Sequence, residues 1–107
     1  MEVPMKHDIA HDLGAGTAKK VADHAFEAYR TKFAEYKPTL NWVSDARADI
    51  TFTAKGIRLE GAMLIADKQI TVDLDVPFLF RPFQKMAIGI IEREVKVWID
   101  KARAGQI

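Results

Sequence analysis

Two histidines near the start of the chain, in His7-Asp8-Ile9-Ala10-His11, have the spacing of a metalloprotease signature, with aspartate where glutamate would stand. That chemistry needs both imidazoles one helical turn apart, so that they reach one zinc ion while a carboxylate activates its water. The local alternation instead predicts a strand from about Met5 to Ile9, with Met5, His7 and Ile9 on one face and Lys6 and Asp8 on the other. Pro4 places the strand's start after it or at a sheet edge. Four residues of strand span roughly 13 Å, too far to share an ion. The expected roles are structural: His7 as a strand residue, and His11 as a turn residue whose ring bonds to backbone near the first helix. No metal or other cofactor is expected.

The other chemistry-bearing residues give no stronger pattern. Gly14-Ala15-Gly16-Thr17-Ala18-Lys19 follows a strand and opens a helix, but a dinucleotide fingerprint wants glycine where Lys19 stands. Free amides at that helix start, with Lys19 and Lys20 beside them, form a candidate anion site. Arg81 and Lys85 are a second candidate pair, because cations at a helix start oppose its dipole unless an anion is present. Glu60, Asp73 and Asp75 fall on an outward sheet face, where little desolvation separates their pKa values, and cross-strand pairing with Arg58 is expected. Ser44 is the only serine and sits in a turn without a nucleophile motif. No nucleophile, base and oxyanion donor can be assembled, so no catalytic residue is assigned and a non-enzymatic protein is expected.

The elements that hold these residues read from their periodicity. The segment Asp12 to Thr17 turns the chain. A first helix is predicted from about Thr17 to Tyr36, with Ala18, Val21, Ala22, Ala25, Phe26, Tyr29, Phe33 and Tyr36 on one stripe and Pro38 ending it. A short extended piece, Leu40 to Val43, comes next, and the turn Ser44 to Arg47 follows it. Ala48, Ile50, Phe52 and Ala54 then face inward, as do Ile57, Leu59, Gly61, Met63 and Ile65, and Ile70, Val72, Leu74 and Val76. Lys55-Gly56 and Ala66 to Gln69 supply the turns, so antiparallel pairing is the economical arrangement. An extended connector rich in aromatics, Val76 to Arg81 with Phe78 and Phe80, leads into a second helix from about Pro82 to Ala104, with Gly105 as its stop. The class is α+β in the order β-α-β-β-β-α: one domain, a short curved antiparallel sheet with both helices on one face. Strand order is not derivable.

Composition narrows the partners. Sixteen lysines and arginines against fifteen acids give a formal charge of +1, with the signs interleaved along the chain. Such a chain has little long-range attraction to phosphate, so nucleic acid is not an expected partner. Cysteine is absent, which removes disulfides and thiolate chemistry and fits a cytoplasmic setting. The N-terminus carries no secretory signal, and no apolar run is long enough to span a bilayer, so no transmembrane segment is expected.

The order of short motifs then carries a resemblance. His11-Asp12-Leu13-Gly14 precedes the first helix, with Ala18 and Lys19-Lys20 behind it; Trp42 opens the strand region, Gly61 lies within a strand, and Pro82-Phe83 leads to Ile91-Glu92-Arg93-Glu94. In this order and over about Met5 to Lys101, the chain resembles the polyhydroxyalkanoic acid system protein family. The resemblance implies an accessory protein associated with polyhydroxyalkanoate granules or their genes. It carries no catalytic residues across. Gly16 and the turn containing Ala46 have no counterpart in the pattern.

The second helix suggests how such a protein could work. Phe83, Met86, Ala87, Ile88, Ile90, Ile91, Val95, Val97, Trp98, Ile99 and Ala102 sweep about 220° of a helical wheel, against little more than ~100° for a helix lying on one surface. Glu94 and Lys101 interrupt one flank. The other, with Ile88, Ile91, Val95, Ile99 and Ala102, is continuous. The candidate interaction surface is therefore Phe78, Phe80, Ile88, Ile91, Val95, Trp98 and Ile99. Three occupants are open for that flank: the first helix of the same chain, a second copy in a homodimer, or a granule surface or granule protein. An alternative function is binding of a small ligand or acyl chain in a cleft between the sheet and the C-terminal helix.

Overall fold

The alternating segments pair into one antiparallel sheet and the two segments with spacings of three and four are helical, in a computed structural model that describes residues 2–3 and 6–107. The elements are β1 (Glu2–Val3), β2 (Lys6–Ala10), α1 (Ala15–Lys32), β3 (Thr39–Ser44), β4 (Arg47–Ala54), β5 (Ile57–Ile65), β6 (Gln69–Pro77) and α2 (Arg81–Arg103). Single 3-10 turns, Ala34–Tyr36 and Phe78–Phe80, follow α1 and precede α2. The readings placed on Pro4 and on the inward side of Met5 lie outside the described residues.

The α+β class and the placement of both helices on one sheet face are as expected. The sheet runs β3-β4-β5-β6, and β1 and β2 follow one another along the far edge of β6. Glu2 stands opposite Pro77 and Lys6 opposite Asp73, so both pieces keep one register. The short extended piece after α1 is a full strand, β3, paired along β4 from Thr39–Thr51 to Ser44–Arg47 with a bulge between Trp42 and Ser44. Four strands rather than three thus separate the helices.

One core fills the space between sheet and helices. Ile50, Phe52, Met63, Val72 and Leu74 point into it from the strands, Val21, Ala25, Phe26 and Tyr29 from α1, and Ile88, Ile91, Val95 and Ile99 from α2. Phe52 sits at its centre, edge-on to Tyr29 (5.6 Å between ring centroids) and to Phe83 (5.9 Å). Such ring pairs add to the area they bury. Gly61 lies where β5 and β6 come closest. A Cβ there would fall 2.4 Å from the Asp73 carbonyl oxygen, so no larger residue fits without moving backbone.

Three local expectations shift for identifiable reasons. First, α1 begins at Ala15, because Gly14 takes a backbone conformation (φ 80°, ψ 161°) that side-chain-bearing residues avoid, and the helix starts directly after it. Second, α1 ends at Lys32. The residue before Pro38 is disfavoured in the helical region, and Lys37 turns instead at φ 46°. Third, Ile57, expected inward, is 46% exposed, since it opens β5 at the sheet's end.

Candidate interaction surface

The continuous flank of α2 is core. Ile88, Ile91, Val95 and Ile99 are all buried, and Ala102 is half-buried. This corrects the expectation that they form an interaction surface. The reason is geometric: α2 lies on the sheet and antiparallel to α1, so two neighbours cover adjoining sectors of its circumference. The ties between the elements trace this packing. His24 of α1 stacks on Trp98 at 4.7 Å, Lys32 pairs with Glu94, and Tyr36 meets Phe83 at 5.0 Å. Trp98 is half-buried in this seam, with the Lys101 ammonium 4.2 Å from its ring centroid. On the sheet side, the buried Gln84 amide donates to the Leu74 carbonyl at 2.5 Å. The same burial leaves the flank no free area for a two-fold seam.

The space between the sheet and α2 is filled by side chains. Tyr29, Phe52, Met63, Leu74, Ile91 and Val95 meet there, each within 2% of complete burial. Two surface depressions lie elsewhere. One, of about 400 Å³, is on the outer sheet face between Arg47, Asp49, Arg58, Glu60, Asp73 and Asp75. A smaller one, of about 250 Å³, lies between α1 and β3, with Phe26, Leu40 and Trp42 at its sides.

What α2 withholds, the connector before it presents. Pro77 ends β6 in an extended conformation (φ −56°, ψ 147°), and Pro82 stands at the first turn of α2. The intervening Phe78–Phe80, expected to be extended, instead makes one 3-10 turn, where successive side chains point about 120° apart. Only Phe80 turns toward the core, half-buried, while Phe78 is 56% and Leu79 87% exposed. Leu79, absent from the candidate surface, is the more exposed of the two. Ile57 belongs to the same end: it opens β5, which runs antiparallel to β6, so it lies at the end where β6 leads into the turn. Met86, 38% exposed, stands on the outer side of the first turns of α2.

The four cations singled out in the sequence do not form one site. Arg81 and Lys85 stand exposed at the connector end. Lys19 and Lys20 stand at the start of α1, and because the helices are antiparallel that is the opposite end of the molecule. Lys19 is engaged: its ammonium is 2.8 Å from Asp45 and 4.8 Å from the Trp42 ring centroid. The Lys19 hydrogen bond holds the Asp45 carboxyl below the usual carboxylate range.

The histidines are structural. His11 accepts from the Leu13 amide through Nδ1 at 3.1 Å, and its Nε2 lies 3.0 Å from the Ala66 carbonyl, to which it donates as the neutral tautomer. Gly14 donates to Asp67 and Asp12 binds Arg103 at 2.9 Å, so the His11–Gly14 motif joins β2, the β5–β6 turn and the end of α2. The Arg103 guanidinium holds the Asp12 carboxyl below its ordinary value. His7 pairs through Nε2 with Glu92 of α2, and that bond lowers the Glu92 pKa. Among the described residues, no group of three or more histidines and acids could hold a metal ion. The outer acids pair differently from expectation: Arg58 reaches Glu60 on its own strand at 3.6 Å, and Asp73 faces Lys6 at 4.0 Å. No helix among the described residues is long and apolar enough to cross a membrane.

Comparison with known proteins agrees with this architecture. No curated protein sequence matches the chain. Among solved structures, the crystal structure of Ara h 8.0201 superposes with a TM-score of 0.57 over 92% of this chain and 98% of that one, at 8% identity. At that identity the likeness is one of fold alone. The family model described as "Putative polyhydroxyalkanoic acid system protein" matches residues 6–99. That span runs from β2 through nearly all of α2, and the chain belongs to the polyhydroxyalkanoic acid system protein family.

Proposed function

We propose that the chain is a non-enzymatic accessory protein of the polyhydroxyalkanoate storage system, acting at granules in the cytoplasm by binding a granule surface or a granule protein. Family membership supplies the setting. One observation carries the mode of action: the connector end holds Leu79 at 87% and Phe78 at 56% exposure, while the flank of α2 is consumed by the core. Exposed apolar residues grouped at one end mark an interaction site more often than scattered ones do. The non-enzymatic part of the reading is supported by the chemistry-bearing side chains having structural partners. His7 is paired with Glu92, both ring nitrogens of His11 meet backbone groups, His24 is stacked on Trp98, and the Ser44 hydroxyl accepts from the Ala46 amide.

A fluorescent fusion of the full chain, imaged in cells with and without polyhydroxyalkanoate granules, tests the proposal. Foci that coincide with granules and disperse when granules are absent are expected. A fusion that stays diffuse in granule-filled cells contradicts it.

A further inference from the structure

We infer that the Phe78–Phe80 turn and the cations around it form a docking tip for an anionic phospholipid layer, with Phe78 and Leu79 entering the apolar zone and lysine and arginine side chains meeting the headgroups. The inference deepens the granule reading by naming the chemistry of the surface, and it rests on that reading only for where the surface is found.

Charge is the first argument. Lys37, Lys55, Arg81 and Lys85 all lie at this end, and among the described residues none of the four enters an ion pair. Elsewhere most cations are engaged: Lys6, Lys19, Arg30, Lys32, Arg47, Lys96 and Arg103 each have a carboxylate within 4.0 Å. The stretch Val76 to Met86 contains no acid, and neither does Phe52 to Leu59. Glu35, exposed in the turn after α1, Asp75 near the end of β6 and Glu2, opposite Pro77, are the opposing charges at this end, and Glu60 is already bound to Arg58. Cations beside an anionic membrane contribute through its surface potential, and apolar side chains add insertion.

Shape is the second argument. Phe78 and Leu79 stand exposed on a three-residue turn. The apolar area offered by Ile57, Phe78, Leu79 and Met86 is on the order of a few hundred Å², below the ~800 Å² that each partner gives to a standard protein interface. A small exposed tip suits a soft layer that closes around it better than a rigid partner surface.

Backbone conformation is the third. Among the described residues the non-glycine positions with positive φ are Lys37 (46°) and Lys55 (52°), and both are at this end. Both turns call for the left-handed region, which favours glycine: Lys55-Gly56 is the two-residue hairpin between β4 and β5, and Lys37 directly precedes Pro38. In both turns the left-handed position carries an unpaired cation at the tip.

Co-sedimentation of the full chain with vesicles tests the inference. Binding to mixed phosphatidylglycerol–phosphatidylcholine vesicles is expected, with little binding to phosphatidylcholine alone. Leu79→Glu is expected to weaken it by about tenfold or more. Arg81→Gln and Lys85→Gln are each expected to cost about fivefold. Absence of wild-type binding to the anionic vesicles overturns the inference, as does equal binding by Leu79→Glu. Granule foci that are lost in Leu79→Glu without any vesicle binding assign the tip to a protein partner and overturn the lipid assignment. Vesicle binding by a chain that stays diffuse in granule-filled cells supports the tip and rejects the granule reading.

Discussion

The two ends of the sheet are built on opposite terms. At the end holding the β2–α1 junction, His11, Asp12, Gly14, Lys19, Asp45, Asp67 and Arg103 find partners in one another or in nearby backbone. At the other end, Ile57, Phe78 and Leu79 stand in solvent beside Lys37, Lys55, Arg81 and Lys85, none of which is paired among the described residues. The first end carries the motif most recognisable in the sequence and uses it to weld three elements together. The second carries no recognisable motif and holds the side chains left over. A motif at a junction can be entirely structural, while unsatisfied side chains point to what lies outside the chain.

Substitutions at matched apolar positions should separate the regions most sharply. Val95→Glu places a charge in the fully buried flank of α2 and is expected to cost on the order of 4 kcal/mol or more, enough to unfold a small domain. Urea denaturation followed by circular dichroism reads this directly. A folded Val95→Glu protein would mean that the flank is not core. At the junction, Gly14→Ala is expected to cost about 1–3 kcal/mol from backbone strain alone, because an added Cβ meets no atom within 4 Å.

A smaller effect is expected from the tie between β2 and α2. The His7 hydrogen bond holds Glu92 below its ordinary value of 4.5, so the folded state binds this proton less readily than the unfolded chain. The resulting stabilisation is complete above about pH 4.5 and is lost as pH falls through the lowered pKa. Glu92→Gln should therefore flatten the stability profile below pH 4.5, and should cost no more than about 1 kcal/mol near neutrality, as both partners are partly exposed. Identical acid profiles for the two proteins would show that the pair does not form. Least of all is expected from Leu79→Glu, within about 0.5 kcal/mol of the parent in the same urea titration. A large loss there would mean that the connector is packed.

Much of the fold was legible because one-sided burial imposes its period on the sequence. Ile50, Phe52 and Ala54, or Ile70, Val72 and Leu74, alternate because a single sheet face meets the helices, and each is buried. His11 was read as a backbone-bonding turn residue for a similarly local reason. The flank of α2 was not legible in this way. A helical wheel shows how wide an apolar arc is but not how many neighbours share it, and Val95 could be assigned only once α1 was seen to lie beside α2. The partners of Glu92 and Asp12, 85 and 91 residues away at His7 and Arg103, depend on the same packing. Leu79 escaped because exposure in a three-residue turn follows from the two prolines that bracket it, not from any period.

The absence of cysteine permits a direct comparison of the two ends. Single-cysteine proteins, Leu79→Cys at the connector and Val43→Cys at the opposite end, where Val43 is 60% exposed, can each carry a polarity-sensitive fluorophore. On addition of isolated granules, a blue shift of the label at residue 79 with no change at residue 43 is predicted. A shift at residue 43 alone, or none at either position, would contradict the connector as the contact surface.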